Sequence, residues 1–430
     1  MPTGTPTGSP GADRPLLLAG ARLADGRVVD VRVGGGRIET VTAPGGSPAG
    51  AERLDLTGYL LLPAPAEPHT HLDDAFSAAA PATAHAPGSG SASASVSASA
   101  ETAEAVRRRI TEAALLGLGY GAVVQRTHVR VGGARALARL EAALQAGRSL
   151  HGLLELQVVA VTGPLTGGAG RQQRGLLREA LAMGAHAVGG RPDLDPAPDP
   201  TGFVRAAAAL AAEAGRPLDL HTDARDPLRF AQLTDALAPL PTGITLGPCP
   251  GLGLLGSDEL ARTADRLARA GITLTCLPQG ERCGGLAGGP DPRRPRLPVG
   301  PLRAAGVTVA AGSGGLRDQA NPVSRPDPLE AAFLLAATGA LDPDWAYAAI
   351  SAAAREVLGL PPVRVAAGFP ADLLAVRGED LRGVLSGGHS RIVLNAGRIV
   401  SRTSAVREYA DADGPAVPRQ GRGAGSGRPD

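Results

Sequence analysis

Residues Leu61–Phe76 have the sequence LLPAPAEPHTHLDDAF, and this stretch predicts both the fold and a site. An apolar run ends at Pro63, and His69 and His71 follow it closely. Residues two apart in a strand point to the same face, so both imidazoles would project together from the end of a buried strand. Buried imidazole nitrogens need partners, and neutral histidine suits zinc and iron. We therefore expect a metal site here, and a purely structural histidine pair is the alternative.

Composition narrows the classes of function. The chain has 430 residues, enough for one large domain and a small companion. Its 43 basic and 41 acidic residues leave a net charge of +2, and 2% aromatics offer little for base stacking, so nucleic-acid binding is not expected. The N-terminus does not resemble a secretion signal, and no apolar run is long enough for a membrane span. Three cysteines without CxxC spacing favour a reducing cytoplasm.

The chain contains no lysine, and all 43 of its basic residues are arginine. A Schiff-base or lysine-base mechanism is therefore excluded. A carboxylated lysine bridging two metals is excluded for the same reason.

The pattern along the chain predicts two folding units. Residues 15–58 and 363–403 contain short β-rich runs separated by turns, and neither part has enough core alone. We expect them to form one small β-sandwich from both chain ends. Residues 59–362 alternate apolar runs with helical patterns, which is typical of a (β/α)₈ barrel. Residues 1–14 and 404–430 are predicted to be disordered tails.

Eight apolar runs are the candidate barrel strands. Barrel enzymes carry their chemistry at the C-terminal ends of the strands, and we expect His69, His71, Gln157, His221 and Ser313 at or just beyond such ends. The candidate strands are Tyr59–Pro63, Ala122–Arg126, Leu154–Val161, His186–Val188, Leu218–His221, Ile244–Gly247, Thr273–Leu277 and Val307–Ala311.

A low-complexity segment, residues 77–102, follows the first of these runs. It is rich in alanine, serine and glycine and nearly free of charge, so we expect a mobile loop over the site. His85 within it is interpreted as an exposed bystander. A helix is predicted to begin after it, at Ala103–Leu116.

The order of the motifs resembles the amidohydrolase superfamily, and within it the cytosine deaminase-like branch. The resemblance extends from about Leu16 to Ser401 and depends on the order and spacing of the motifs together. It implies a barrel with one divalent metal, zinc or iron, that hydrolyses a C–N bond of a small cyclic amine or amide. The motifs are PHTHLD, RTHVR at Arg126–Arg130, LELQVVA at Leu154–Ala160, GAHAVGGRPDLDP at Gly184–Pro196, LHTDARD at Leu220–Asp226, and AAGSGGLRDQANP at Ala310–Pro322.

Part of the family's site matches this sequence residue by residue. The resemblance assigns His69, His71 and His221 as metal ligands and Gln157 as a substrate contact. Three histidines are enough to hold a catalytic zinc. His128 could either pack or hydrogen-bond next to the metal ligands or have a purely structural role.

Three other family positions are changed. The resemblance implies a proton-shuttling glutamate where this chain has Ala224, a strand-six histidine where it has Pro248, and a metal-binding strand-eight aspartate where it has Gly314. General acid–base help is worth about 10²–10⁴ in rate, so these changes matter for turnover. The residues that could substitute for them are Asp223, Asp226, Asp318 and Cys249.

Two functions follow as hypotheses. The first is a metal-dependent hydrolase of a C–N bond in a small cyclic molecule. The second is a catalytically inactive family member that binds a small molecule or an assembly partner. Family members often assemble, so the resemblance allows a homo-oligomer, although nothing in the sequence indicates one.

Overall fold

The computed structural model describes residues 15–46, 50–79, 102–132, 136–197, 199–280 and 295–406. The predicted tails, apart from residues 404–406, lie outside the described residues. So do residues 80–101 of the predicted covering loop, including His85. No helix in the described ranges has both the length and the apolar character that crossing a membrane requires.

The strands and helices alternate over the central part of the chain. The described strands are β1 (Leu16–Arg22), β2 (Val28–Gly34), β3 (Arg37–Thr42), β4 (Glu52–Asp55), β5 (Tyr59–Pro63), β6 (Ala66–Thr70), β7 (Val124–Arg130), β8 (Glu155–Val161), β9 (Ala187–Gly190), β10 (Leu218–Thr222), β11 (Ile244–Pro248), β12 (Thr273–Cys276), β13 (Val309–Ala311), β14 (Leu373–Arg377), β15 (Arg391–Asn395) and β16 (Arg398–Thr403). The described helices are α1 (Ala103–Gly119), α2 (Ala136–Ser149), α3 (Gly167–Ala182), α4 (Thr201–Ala214), α5 (Pro227–Leu237), α6 (Ser257–Arg269), α7 (Val299–Ala304), α8 (Pro328–Ala337), α9 (Pro343–Ile350), α10 (Ala352–Val357) and α11 (Leu381–Gly387).

Strands β6 to β13 form the barrel. They pair in chain order, all in parallel, as an eight-stranded sheet with helices between most of the strands. The two ends of this sheet meet where Gly314 N donates to His69 O at 3.0 Å, just beyond β13. The predicted (β/α)₈ barrel is confirmed. Its parallel strands bring all their C-terminal ends to one mouth.

A second sheet is built from both ends of the chain, as the sequence predicts. Its order is β16-β15-β14-β5-β1-β2-β3, with β4 beside β1. Leu18, Val31, Leu61 and Leu373 belong to one buried apolar cluster in this sheet. The N-terminal and C-terminal segments therefore share one core that neither could form alone.

One predicted barrel strand was wrong. Tyr59–Pro63 is β5, which pairs antiparallel with β14 in the second sheet, from Tyr59 opposite Arg377 to Pro63 opposite Leu373. The first barrel strand is Ala66–Thr70 instead. An apolar run fits either sheet equally well, and only the antiparallel partner far along the chain decides which sheet it joins. The other seven predicted strands overlap the observed barrel strands.

A buried ion pair joins the second sheet to the barrel. Arg391 on β15 donates from both terminal nitrogens to the carboxylate of Asp327, with N···O distances of 2.8 Å and 2.8 Å. Both residues are buried. Asp327 also caps α8 by accepting from Leu329 N at 3.0 Å. The carboxylate therefore fixes the start of a barrel helix and its contact with the sheet together.

Replacing the carboxylate of Asp327 by an amide should distinguish the contribution of the ion pair from that of the helix cap. Asp327→Asn keeps a good capping side chain but leaves Arg391 without its charged partner. We expect a loss of about 3–5 kcal/mol in the free energy of unfolding, measured by urea titration. Asp25→Asn is the control, because Asp25 pairs with Arg27 on the exposed surface and should have little effect. A midpoint for Asp327→Asn equal to that of the control would contradict this assignment.

Candidate metal centre

Four histidines converge at the C-terminal mouth of the barrel. His69 is on β6, His128 on β7 and His221 on β10, and His71 follows β6 directly. The first three are between 0% and 4% exposed. Their ring centroids lie between 4.0 and 5.6 Å apart in all pairs. All three predicted metal ligands are thus present in one cluster, and His128 joins them.

The nitrogens of this cluster are close enough to share one ion. The ligand atoms of His69, His128 and His221 all lie within 4.8 Å of one another. His71 Nε2 lies 3.4 Å from His221 Nε2. Two nitrogens bound to one tetrahedral zinc at the usual bond lengths lie about 3.3–3.4 Å apart. The His71–His221 pair has this spacing, and the ligand atoms of His69 and His128 lie within 4.8 Å of one on His221.

Backbone carbonyls fix which nitrogen carries the proton in two of these rings. His71 Nδ1 lies 3.1 Å from His128 O, and His128 Nδ1 lies 3.4 Å from Thr70 O. A ring N–H that donates to a carbonyl leaves the other nitrogen with its lone pair free to bind a metal. In both rings that other nitrogen is Nε2. The donor set therefore fits a divalent metal such as zinc.

The protonation state of three of the rings also suits metal binding. Burial lowers the pKa of His71 to about 3 and, with the neighbouring rings, lowers the pKa of His69 and His221 well below the ordinary value. These three imidazoles are therefore neutral near pH 7. Neutral imidazole is the form that binds a metal, so no proton has to leave when an ion enters.

A buried polar network supports the cluster from inside the barrel. Asp219, two residues before His221 on β10, is held by Arg126 Nη1 at 2.9 Å. Its other oxygen lies 3.1 Å from His128 Nε2, although this contact lacks hydrogen-bond geometry. Arg126 also donates to Val357 O at 3.3 Å. A buried carboxylate beside the rings is thus fixed by an arginine that is itself anchored.

Gln157 does not lie where the sequence places it. It is the third residue of β8, four residues before the C-terminal end of that strand at Val161. Its side-chain oxygen accepts from Arg126 at 3.1 and 2.8 Å, and its nitrogen donates to Glu155 and to Leu358 O. These contacts hold the amide inside the barrel. A substrate contact by Gln157 stays a prediction.

The three changed family positions offer no ionisable side chain. Ala224 is 3% exposed and follows β10, and Pro248 ends β11. Gly314 has φ = +78°, and a Cβ added there would lie 3.2 Å from Leu277 Cδ1. The side chain of Leu277 therefore fills part of the space beside the glycine.

The proposed substitutes have other contacts in the structure. Asp226 caps α5 by accepting from Leu228 N and Arg229 N at 3.0 and 3.1 Å. Asp318 accepts from two backbone amides of the loop that follows β13. Cys249 is fully buried. Asp223 lines a cavity of about 190 Å³ next to Ala224, and burial and then Asp193 raise the pKa of its carboxyl. A role in proton transfer stays a prediction for all of them.

Glu67 is a buried acid near the site that the sequence reading did not single out. It accepts from His69 N at 3.2 Å and from Ser313 N at 3.0 Å, and it is 1% exposed. Burial raises the pKa of its carboxyl to about 7, although these hydrogen bonds favour the charged form. The sequence spacing could have indicated Glu67, because it precedes His69 by two residues and so lies on the same strand face.

Relatives of the chain are consistent with this fold and site. No protein-family model matches it. A pterin deaminase of Rhizobium rhizogenes is 27% identical over 404 residues, which cover 89% of this chain and 90% of the relative. The solved structure of N-isopropylammelide isopropylaminohydrolase from Burkholderia multivorans has a TM-score of 0.76 at 26% identity and covers 91% of this chain and 99% of its own. That of 5-methylcytosine deaminase from Klebsiella pneumoniae has a TM-score of 0.75 at 23% identity, covering 92% and 100%, and supports the fold.

The barrel and the added sheet match the fold of these solved hydrolase and deaminase structures. Its homologues and structural neighbours are deaminases and hydrolases of the amidohydrolase superfamily, which confirms the resemblance seen in the sequence.

The pKa of Glu67 predicts a pH-dependent difference in stability. Its value is about 7 in the folded protein and near 4.5 when exposed, so the folded state binds the extra proton and gains stability as the pH falls through this window. Relative to Glu67→Gln, the metal-free wild type should gain about 2–3 kcal/mol between pH 8 and pH 5, measured by urea unfolding with a chelator present. Glu259→Gln, on the exposed face of α6, should show no such difference. Parallel pH profiles for wild type and Glu67→Gln would refute the assignment.

Proposed function

We propose that this chain is a metal-dependent hydrolase of a C–N bond in a small cyclic amine or amide. His69, His71 and His221 would hold one zinc or iron ion. The observation that carries the proposal is the convergence of imidazole nitrogens at the barrel mouth, with the Nε2 atoms of His71 and His221 3.4 Å apart. Two imidazole nitrogens at this spacing suit a shared cation.

The chain's own residues would have distinct parts in such a reaction. A bound divalent ion would supply Lewis acidity and lower the pKa of a water molecule. The backbone carbonyl of His128 would hold His71 in its metal-binding tautomer. Asp223, with its raised pKa, is the candidate proton carrier in place of Ala224. The named activities of the relatives, on pterin and 5-methylcytosine, support a nitrogen heterocycle as the substrate class.

A second candidate function is that of a catalytically inactive binder of a small molecule. The specific observation is that Ala224, Pro248 and Gly314 provide no ionisable group at three family positions. Cys249, next to Pro248, is buried and is a poor proton carrier. The metal would then help to hold the barrel or a ligand without turnover.

Metal content is the first test of the proposal. Protein purified without chelators should contain about one zinc or iron ion per chain by elemental analysis, and His69→Ala should lose it because one buried ligand is removed. His151→Ala, which removes an exposed imidazole, is the matched control and should keep the metal. Wild-type protein that takes up no zinc or iron after reconstitution would rule out the hydrolase.

Introducing the family's residues at positions 224, 248 and 314 should raise the rate of hydrolysis if the rest of the site is intact. We expect the triple variant Ala224→Glu, Pro248→His and Gly314→Asp to gain about 10²–10⁴ in deaminase rate with cytosine-like substrates, measured as ammonia release. The matched control is Ala224→Gln, Pro248→His and Gly314→Asn, which has similar side-chain shapes without the carboxylates. Equal rates in the two triple variants would contradict the alignment of these positions.

A further inference from the structure

We propose that His128 is itself a ligand of the metal, so that imidazole nitrogens take the place of the missing carboxylate. The inference deepens the proposed function and rests on it, because it concerns the same ion. The family pattern supplies one anionic ligand from the strand-eight aspartate, where this chain has Gly314. His128 lies outside that pattern.

One nitrogen of His128 has a backbone partner, and the other has none within the described residues. The ring is fully buried, and its Nδ1 is positioned to donate to Thr70 O. Its Nε2 has no hydrogen-bond partner among the described residues. A buried nitrogen without a partner is costly, and a bound cation would satisfy it. Thr70 O would then act as the outer partner that orients a metal-binding histidine.

The ring of His128 lies among the other imidazoles. Its centroid lies 4.0 Å from that of His69 and 4.7 Å from that of His221. The ligand atoms of His69, His128 and His221 all lie within 4.8 Å of one another. His71 Nε2 lies 3.4 Å from His221 Nε2. His128 is therefore close enough to share an ion with the other rings.

A carboxylate lies beside Nε2 of His128. One oxygen of Asp219 is 3.1 Å from this nitrogen, without hydrogen-bond geometry. A cation bound at Nε2 would be attracted by this negative charge. The other oxygen of Asp219 is already engaged by Arg126, so the carboxylate is held beside the ring. Asp219 would then balance the ion from outside its coordination shell.

The strand-eight position offers no competing side-chain ligand. Gly314 lacks a side chain, its N–H donates to His69 O, and Leu277 occupies the space beside it. His128 is on β7, the strand that pairs with β6 on the other side. It would therefore supply the further ligand that Gly314 does not.

This assignment has a consequence for the chemistry. Four imidazoles fill a tetrahedral shell, which is the closed arrangement of structural zinc sites, and a hydrolase would need a fifth position. The number of imidazoles bound therefore also bears on the choice between hydrolase and inactive binder.

The test counts imidazoles on zinc and measures zinc affinity in the full chain. X-ray absorption of the wild-type zinc protein should show four imidazole ligands. Zinc affinity, measured by competition with a chromophoric chelator, should fall more than 100-fold in His128→Phe, which keeps a ring stacked on His69. This exceeds the ~10–100-fold effect of losing an outer partner, which we expect for Asp219→Asn. His128→Asn, which keeps a donor toward Thr70 O, should behave like His128→Phe.

The outcomes separate this inference from the proposed function. Three imidazoles in the wild type, or a zinc affinity of His128→Phe that falls by about 100-fold or less, would overturn the inference and leave the hydrolase standing. Four imidazoles without any C–N hydrolysis would support the inference and count against the hydrolase. Wild-type protein that binds no zinc would overturn both. If neither His128 variant folds, the imidazole count on the wild type decides alone.

Discussion

Four imidazole rings share one buried volume at the mouth of the barrel, and the loss of water from their nitrogens is the constraint on which the site depends. A desolvated nitrogen must have a proton acceptor, a proton donor or a cation. The carbonyls of Thr70 and His128 satisfy one nitrogen in each of two rings. The ligand atoms of His69, His128 and His221 lie within 4.8 Å of one another, and His71 Nε2 lies 3.4 Å from His221 Nε2. Burial also lowers the pKa of His69, His71 and His221, which favours the neutral form that binds a metal.

The cluster depends on a buried ion pair below it. Arg126 and Asp219 are both almost fully buried, which is tolerable only because their charges are paired and hydrogen-bonded. Gln157 and the carbonyl of Val357 take up other N–H groups of the guanidinium. The arginine thereby links the floor of the barrel to the carboxylate beside His128. A rigid support of this kind holds side chains at a site within the tolerance that ligand geometry requires.

Much of the fold was predictable because local patterns carry it. The apolar runs of the barrel strands, separated by helical periods, predicted seven of its eight strands. The eighth, Tyr59–Pro63, failed because an apolar run does not reveal its partner, and β14 lies about 300 residues further on. The expected position of Gln157 at the end of its strand was wrong for a related reason, whereas its role as a substrate contact stays a prediction. Its motif fitted the family, but its position within β8 depends on register with Arg126, which only the paired strands define.

By itself, the sequence predicted a barrel protein with His69 and His71 at its mouth, and the family resemblance added His221. The spacing of two and the position after an apolar run are local properties, and local properties can be read without coordinates. Only the tertiary structure decided that His128 belongs to the same cluster. His128 lies 57 residues after His71, and its ring meets the others because β7 pairs with β6 in parallel. Proximity across strands is set by pairing and register, and a single sequence does not encode it in any short pattern.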